Sequence, residues 1–213
     1  MNCMKDVRLT QLKEIAAIRL GYPFRSGIER DDQGTIGVIQ MKDFDEFNRL
    51  NLSDLYKVQI KDLEDWHLLN PGDILFRSRG ISNKAAIVTE EIKQVKGIDH
   101  FVASASLMVI AVKTTKVDPA FVLWYINHPL GQRQLSRLSR GTNQQMISKS
   151  ALETLTLPLL TLERQKLIVE LAALSLREQE ILSELTQKRK VYTDTALRML
   201  AQGSLNLEKE GRV

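Results

Sequence analysis

The chain has 213 residues, of which 43% are hydrophobic and 26% charged, with a formal net charge of +4. This composition excludes disordered and collagen-like classes and fits a protein that buries a real core. One cysteine, Cys3, excludes an intramolecular disulfide framework and fits a reducing cytoplasm, and the longest apolar run, residues 107–112, is too short to span a bilayer.

Leu9, Leu12, Ile15, Ala16 and Leu20 recur at helical spacing, which predicts a helix over 9–20 that Gly21 can end. Gly21-Tyr22-Pro23 is a turn signal, and the β-branched Ile36, Val38 and Ile39 predict a strand over 35–41. Asn70-Pro71-Gly72-Asp73 predicts a tight turn, followed by a strand at Ile74-Leu75-Phe76 and a loop over 77–83. Residues 85–89 resume extended structure, and 101–112 form a pair of strands or one long bent strand.

Asp118 at an N-cap position, with Pro119 after it, starts a helix that carries Phe121, Val122, Tyr125 and Ile126 on one face. His128-Pro129 ends it, and short helices follow over 130–138 and 148–155, with a brief extended piece at Leu157-Pro158. Residues 1–158 therefore read as a compact mixed α/β head of short strands and helices.

From Leu162 to Ala201 there is no glycine or proline, which predicts one helix of about 60 Å at 1.5 Å per residue. Leu167, Leu171, Leu174, Ile181, Leu185, Tyr192 and Met199 follow alternating spacings of four and three, interrupted by Glu178, Lys188 and Thr195. Such a stripe could lie along its own head. A helix this long outruns a head of about 150 residues, so its distal half is expected to pair, coiled-coil fashion, with a second copy or another chain. We divide the chain into the head at 1–158, a spacer or dimerisation helix at 159–202 and a polar tail at 203–213.

The charge is unevenly spread. Arg77, Arg79 and Lys84 lie in a window with no acidic residue between Asp73 and Glu90. A second acid-free window holds Arg133, Arg137, Arg140 and Lys149 around Gly141-Thr142-Asn143-Gln144-Gln145. Two such windows in a chain with 26 acidic residues are not an evenly mixed surface, and they fit a recognition surface as well as a solubility feature.

Catalysis finds little support in the sequence. His67, His100 and His128 are scattered away from cysteines and paired carboxylates, and there is no phosphate-binding glycine motif. Asp73 followed by Glu91-Ile92-Lys93 loosely matches the Asp…Glu-x-Lys spacing of metal-dependent nucleases. Asp73 equally suits a turn, and residues 90–93 a solvated loop. No metal or cofactor is expected, and nuclease activity is the weakest alternative.

Several segments, taken in order, resemble the DNA-specificity subunits of type I restriction–modification systems. They are Gly21-Tyr22-Pro23-Phe24-Arg25-Ser26-Gly27, Gly37-Val38-Ile39-Gln40-Met41-Lys42-Asp43 and Pro71-Gly72-Asp73-Ile74-Leu75-Phe76-Arg77-Ser78-Arg79-Gly80. Gly141-Thr142-Asn143-Gln144-Gln145-Met146-Ile147-Ser148, Leu155-Thr156-Leu157-Pro158-Leu159 and Leu162-Glu163-Arg164-Gln165 complete the set. The resemblance implies a non-catalytic DNA-binding subunit that directs methyltransferase and restriction subunits, which carry the S-adenosylmethionine and ATP sites, to a bipartite target.

Subunits of that family usually hold two target-recognition domains, each followed by a long helix, and the helices pair antiparallel. One head and one helix resemble a half-subunit, implying a homodimer or a truncated relative. A protein–protein scaffold with a degenerate head is the alternative of another class. Arginine and lysine neutralise phosphates, whereas arginine reads guanine and asparagine or glutamine reads adenine. On those grounds the candidate DNA contacts are Arg25, Ser26, Lys42, Arg77, Ser78, Arg79, Asn83, Lys84, Arg140, Thr142, Asn143 and Gln144. The 141–145 loop also fits a role bracing the long helix.

Overall fold

The computed structural model describes residues 8–25, 27–61, 63–80, 83–139 and 145–202. In chain order the elements begin with β1 (Leu9–Gln11), α1 (Leu12–Ile15), β2 (Ala16–Leu20), β3 (Ile36–Ile39) and β4 (Tyr56–Val58). Next come β5 (Ile74–Arg77), β6 (Arg79–Gly80), β7 (Ala85–Ile87), β8 (His100–Ala103) and β9 (Leu107–Val112). The last are α2 (Pro119–Asn127), α3 (Pro129–Leu138), β10 (Gln145–Met146), α4 (Lys149–Glu153), β11 (Thr156–Pro158) and α5 (Leu162–Ala201). The fold is mixed α/β and ends in a 40-residue helix.

Two sheets form the centre. One is antiparallel in the order β2-β9-β5-β7, and the other runs β4-β3-β8 with β3 and β8 parallel. The near-continuous apolar runs of β5 and β9 fit strands covered on both faces, since successive side chains point opposite ways. Ile74, Phe76, Met108 and Ile110 pack with Phe121, Val122 and Ile126 of α2. Leu75, Leu107 and Val109 point the other way and meet Ile39, Phe101 and Ala103 of the second sheet. The outer face of that sheet, through Ile36, Val38, Val58 and Val102, is covered by Tyr22, Phe24, Ile28, Ile60 and Leu63.

The helix expected over 9–20 is a strand, one helical turn and a second strand. Leu12 and Ile15 reach the core from the single turn α1, after which Ala16 and Ile18 alternate inward from β2. Five residue pairs with β9, from Ala16↔Val112 to Leu20↔Met108, outweigh a helical spacing that would have buried Leu9 and Leu20, both exposed here. The 101–112 segment is a pair of strands, β8 and β9, joined through a tight turn at 104–106. The loop expected over 77–83 contains the short strand β6, and β4 had no forecast.

Asp118 caps α2 through its side chain, which accepts from the Ala120 amide at 2.8 Å, and Ser148 caps α4 by accepting from the Ala151 amide at 3.1 Å. The residues divide into two units, Met1–Val169 and Glu170–Val213. The boundary follows from packing, because Ile168 and Val169 in the first turns of α5 touch the helical side of the core. Among the described residues, no helix is long and apolar enough to cross a membrane.

Gln165 fixes the start of α5. Its side chain is fully buried, with Oε1 accepting from the Asp118 amide at 2.9 Å and Nε2 donating to the carbonyls of Lys116 and Leu160 at 2.9 and 2.8 Å. Three backbone groups of two loops thus converge on one amide. Gln165→Ala leaves them without partners in an apolar setting, and urea unfolding should read a loss of about 1–3 kcal/mol.

Candidate nucleic-acid interface

The basic window after the 70–73 turn is built by β5 and β6. The side chain of Asp73, buried, accepts from Arg19 Nη2 at 3.2 Å and from the Asn70 amide at 3.1 Å, which holds the turn ahead of β5. Among the described residues, no group of histidine, cysteine and acidic side chains is arranged to hold a metal ion. From Ile74 the strand runs to Arg77, and the Arg77 amide donates to the Lys84 carbonyl at 2.9 Å. Gly80 sits at φ +115°, a conformation that favours glycine.

Three segments remote in sequence meet at the turn between β8 and β9. The Gly21 amide donates to the Leu107 carbonyl at 2.9 Å and the Tyr22 amide to Ala103 at 2.7 Å. The Ser104 amide donates to the Ile39 carbonyl at 2.9 Å, which brings the end of β3 to the same turn. Ser78 Oγ donates to the Ser106 carbonyl at 3.0 Å, and the hydroxyls of Ser104 and Ser106 lie 2.8 Å apart. A Cβ on Gly21 would stand 2.0 Å from the Ser104 carbonyl oxygen, so only glycine permits this approach.

β10 pairs antiparallel with β6, matching Gln145 to Gly80 and Met146 to Arg79, and the Ile147 amide donates to the Ser78 carbonyl at 3.0 Å. The end of the second basic window is therefore joined to the first. Met41 closes the group from the other side, since its Cε would lie 3.4 Å from a Cβ on Gly80. Phe44, following the turn at 41–43, carries the Arg77 guanidinium 4.3 Å from its ring centroid.

The candidate contacts fall into distinct groups here. Lys42 is exposed, with Nζ 3.4 Å from the Tyr56 ring centroid. Arg79 is exposed on β6, and Arg77 is half-buried beside Phe44. Burial pulls the Arg77 guanidinium below its ordinary pKa, opposed by the charge of Asp45, and its Nε is buried without a hydrogen-bond partner.

Ser78 and Asn83 are buried and bonded within the fold. Asn83 Nδ2 donates to the Arg77 carbonyl at 3.1 Å, while its own carbonyl accepts from Gln132 Nε2 at 2.9 Å. Lys84 is half-buried and donates to the Asn127 carbonyl at 2.8 Å; desolvation lowers its pKa. Arg25 is exposed and lies in a separate cleft lined by Tyr22, Phe24, Lys61 and His67. Ser26, Arg140, Thr142, Asn143 and Gln144 lie outside the described residues.

Two features were not picked out as sites from the sequence. Gln40 presents a second buried donor without a partner, its Nε2, next to the turn that carries Lys42. The Ser104–Ser106 turn has no charge and no motif to mark it. Its only sequence signal is the small-residue run Ala103-Ser104-Ala105-Ser106 between two apolar strands.

On α5, Leu167, Leu171, Leu174, Ile181, Leu185, Tyr192 and Met199 are all exposed, with Leu174 at 69% and Tyr192 at 77%. Glu180, near the middle of the stripe, is buried and accepts from Arg177 Nη1 at 3.1 Å.

The family described as the type I restriction modification DNA specificity domain matches residues 4–187. Among solved structures, a chain from work on complex assembly and conformational transition of the type I R-M system aligns with TM-score 0.63 and 16% identity, covering 96% of this chain and 46% of that one. The HsdS subunit from Thermoanaerobacter tengcongensis aligns with TM-score 0.60 and 17% identity, covering 96% and 47%. The type I restriction–modification S subunit from M. genitalium aligns with TM-score 0.55 and 14% identity, covering 94% and 47%. The chain thus spans about half the length of these structures. No curated protein matches the sequence.

The geometry separates structural from surface polar residues within one basic window. Asn83→Ala orphans the Arg77 carbonyl bond and should lower stability by about 1–3 kcal/mol, whereas Arg79→Ala should stay within about 0.5 kcal/mol of the parent in thermal unfolding.

Proposed function

Because the chain belongs to the type I restriction–modification DNA specificity domain family, we propose that it is a non-catalytic subunit that reads double-stranded DNA. It would direct partner methyltransferase and restriction subunits to their target, and would work in the cytoplasm. The observation that carries this reading is the convergence of Lys42, Arg77 and Arg79 on segments braced by one turn, with β10 paired beside them. The two cations exposed there, Lys42 and Arg79, suit phosphate oxygens, and neither has an ion-pair partner among the described residues. Arg77, half-buried over Phe44, is of the residue type that reads guanine edges. Arg140, Thr142, Asn143 and Gln144, which precede β10 in the sequence, stay candidates on sequence grounds alone.

In this reading one chain supplies one recognition head. A second copy, joined through the apolar stripe of α5, would supply the other, and identical heads about a two-fold axis would demand an inverted-repeat target. The exposed run from Leu171 to Met199 at heptad-like spacing supports that pairing.

Binding to duplex DNA measured against salt tests the first part. Arg79→Ala and Lys42→Ala should each weaken binding and reduce the slope of log K against log salt by about 1. Unchanged affinity and slope in both variants would favour a scaffold whose head has lost its DNA role.

Light scattering in solution tests the second part. The parent chain should have twice its formula mass, and Leu171→Lys with Leu185→Lys should return it to the monomer mass; a parent that is monomeric at all concentrations rejects the homodimer.

A further inference from the structure

Arg25 stands apart from the surface described above, in a cleft of about 570 Å³. One wall is the segment after β2, with Tyr22, Phe24 and Arg25, and the other is the segment after β4, with Lys61, Glu64 and His67. The walls are aromatic where they meet. Tyr22 contacts Phe24 and His67 edge-on, each at 4.8 Å between ring centroids. Trp66, 55% exposed, lies against His67 at 3.6 Å between ring centroids, and its Nε1 donates to Glu64 Oε2.

Desolvation lowers the pKa of His67, outweighing the opposing pull of Glu64, and the charge of Arg19 lowers it further. At neutral pH the ring is an uncharged aromatic surface. Arg25 and Lys61 are exposed at the cleft, and among the described residues neither has an ion-pair partner.

A large exposed tryptophan, a cluster of three further rings and two cations with no ion-pair partner among the described residues are unusual on a surface that needs no ligand. Partly exposed aromatic rings in a largely polar lining take a planar heterocycle, and two cations take an anion close to it. That combination describes a nucleobase with its phosphate. Glu64 Oε1 remains as an acceptor, which suits a base that carries an amino group.

We propose that this cleft binds one unpaired nucleotide, its base against the Tyr22, Phe24 and His67 rings and its phosphate between Arg25 and Lys61. For DNA as the source of that nucleotide, this rests on the DNA-binding reading. The Tyr22 wall hangs from the same Ser104–Ser106 turn that accepts Ser78, so the cleft and the Arg77–Arg79 strand share a support. A nucleotide displaced from a duplex held on that strand would have a receptor on the same frame.

Two arms separate a nucleotide within DNA from a free one. In the first, the full chain is titrated with a duplex, the same duplex carrying one extrahelical adenosine, and the same duplex carrying an abasic bulge. The adenosine bulge should bind about tenfold tighter than either control, the scale of one base–aromatic stack. Lys61→Ala and Phe24→Ala should erase that preference and leave the affinity for the paired duplex within twofold.

In the second arm, Trp124→Phe leaves Trp66 as the sole tryptophan, and dAMP is added with deoxyribose 5-phosphate as the control. Quenching by dAMP alone, weakened by Lys61→Ala, supports the cleft even if no duplex binds, an outcome that overturns the DNA reading instead. Equal affinity for bulged and paired duplex together with no response to dAMP overturns the inference while the DNA reading stands.

Discussion

The backbone of residues 103–107 is the constraint on which the candidate surface depends. Within five residues it takes hydrogen bonds from Gly21, Tyr22 and Ser78 and gives one to Ile39. Buried backbone groups must find partners, and here the partners come from three segments that carry polar residues outward. The turn thereby locates the start of the Arg25 wall, the approach to Lys42 and the Arg77–Arg79 strand without contributing a charge of its own. Gly21 is part of this arrangement because the Ser104 carbonyl occupies the space that any side chain would need.

Around that centre, the polar residues of one short window do different work. Ser78, Asn83 and Lys84 spend their hydrogen bonds on the Ser106, Arg77 and Asn127 carbonyls, which holds the loop to the turn and to the C-terminal end of α2. Arg79, between them in sequence, faces solvent because strand alternation turns it away from the buried Ser78. A rigid support beneath a few free donors is what precise recognition requires, since a side chain held by its neighbours loses less freedom on binding.

Much of this was legible in the sequence. Asp118-Pro119, Ser148 and the 70–73 turn carry local chemistry strong enough to fix their elements, and the absence of glycine and proline after Leu162 gives the long helix directly. The 9–20 segment was misread because spacings of three and four also arise when one helical turn joins two short strands. Only pairing with β9, some ninety residues away, decides between the two. Charge located the basic windows but not which members face outward, because burial of Asn83 and Lys84 depends on Gln132 and Asn127 of the helical layer. Gln40 carried no charge signal at all, and the serine turn matters through its backbone, to which composition is blind.

The pairing of β1 with β11 joins Leu9 to Pro158, the two extremes of the folded unit. Contacts that far apart in the chain cannot form until nearly all of the intervening polypeptide exists. On the ribosome the first strand waits without its neighbour while some hundred and fifty residues are made, and Leu12, fully enclosed at the end, stays exposed until Leu155 and Leu157 emerge. The order of synthesis thus delays closure of this unit to its last strand.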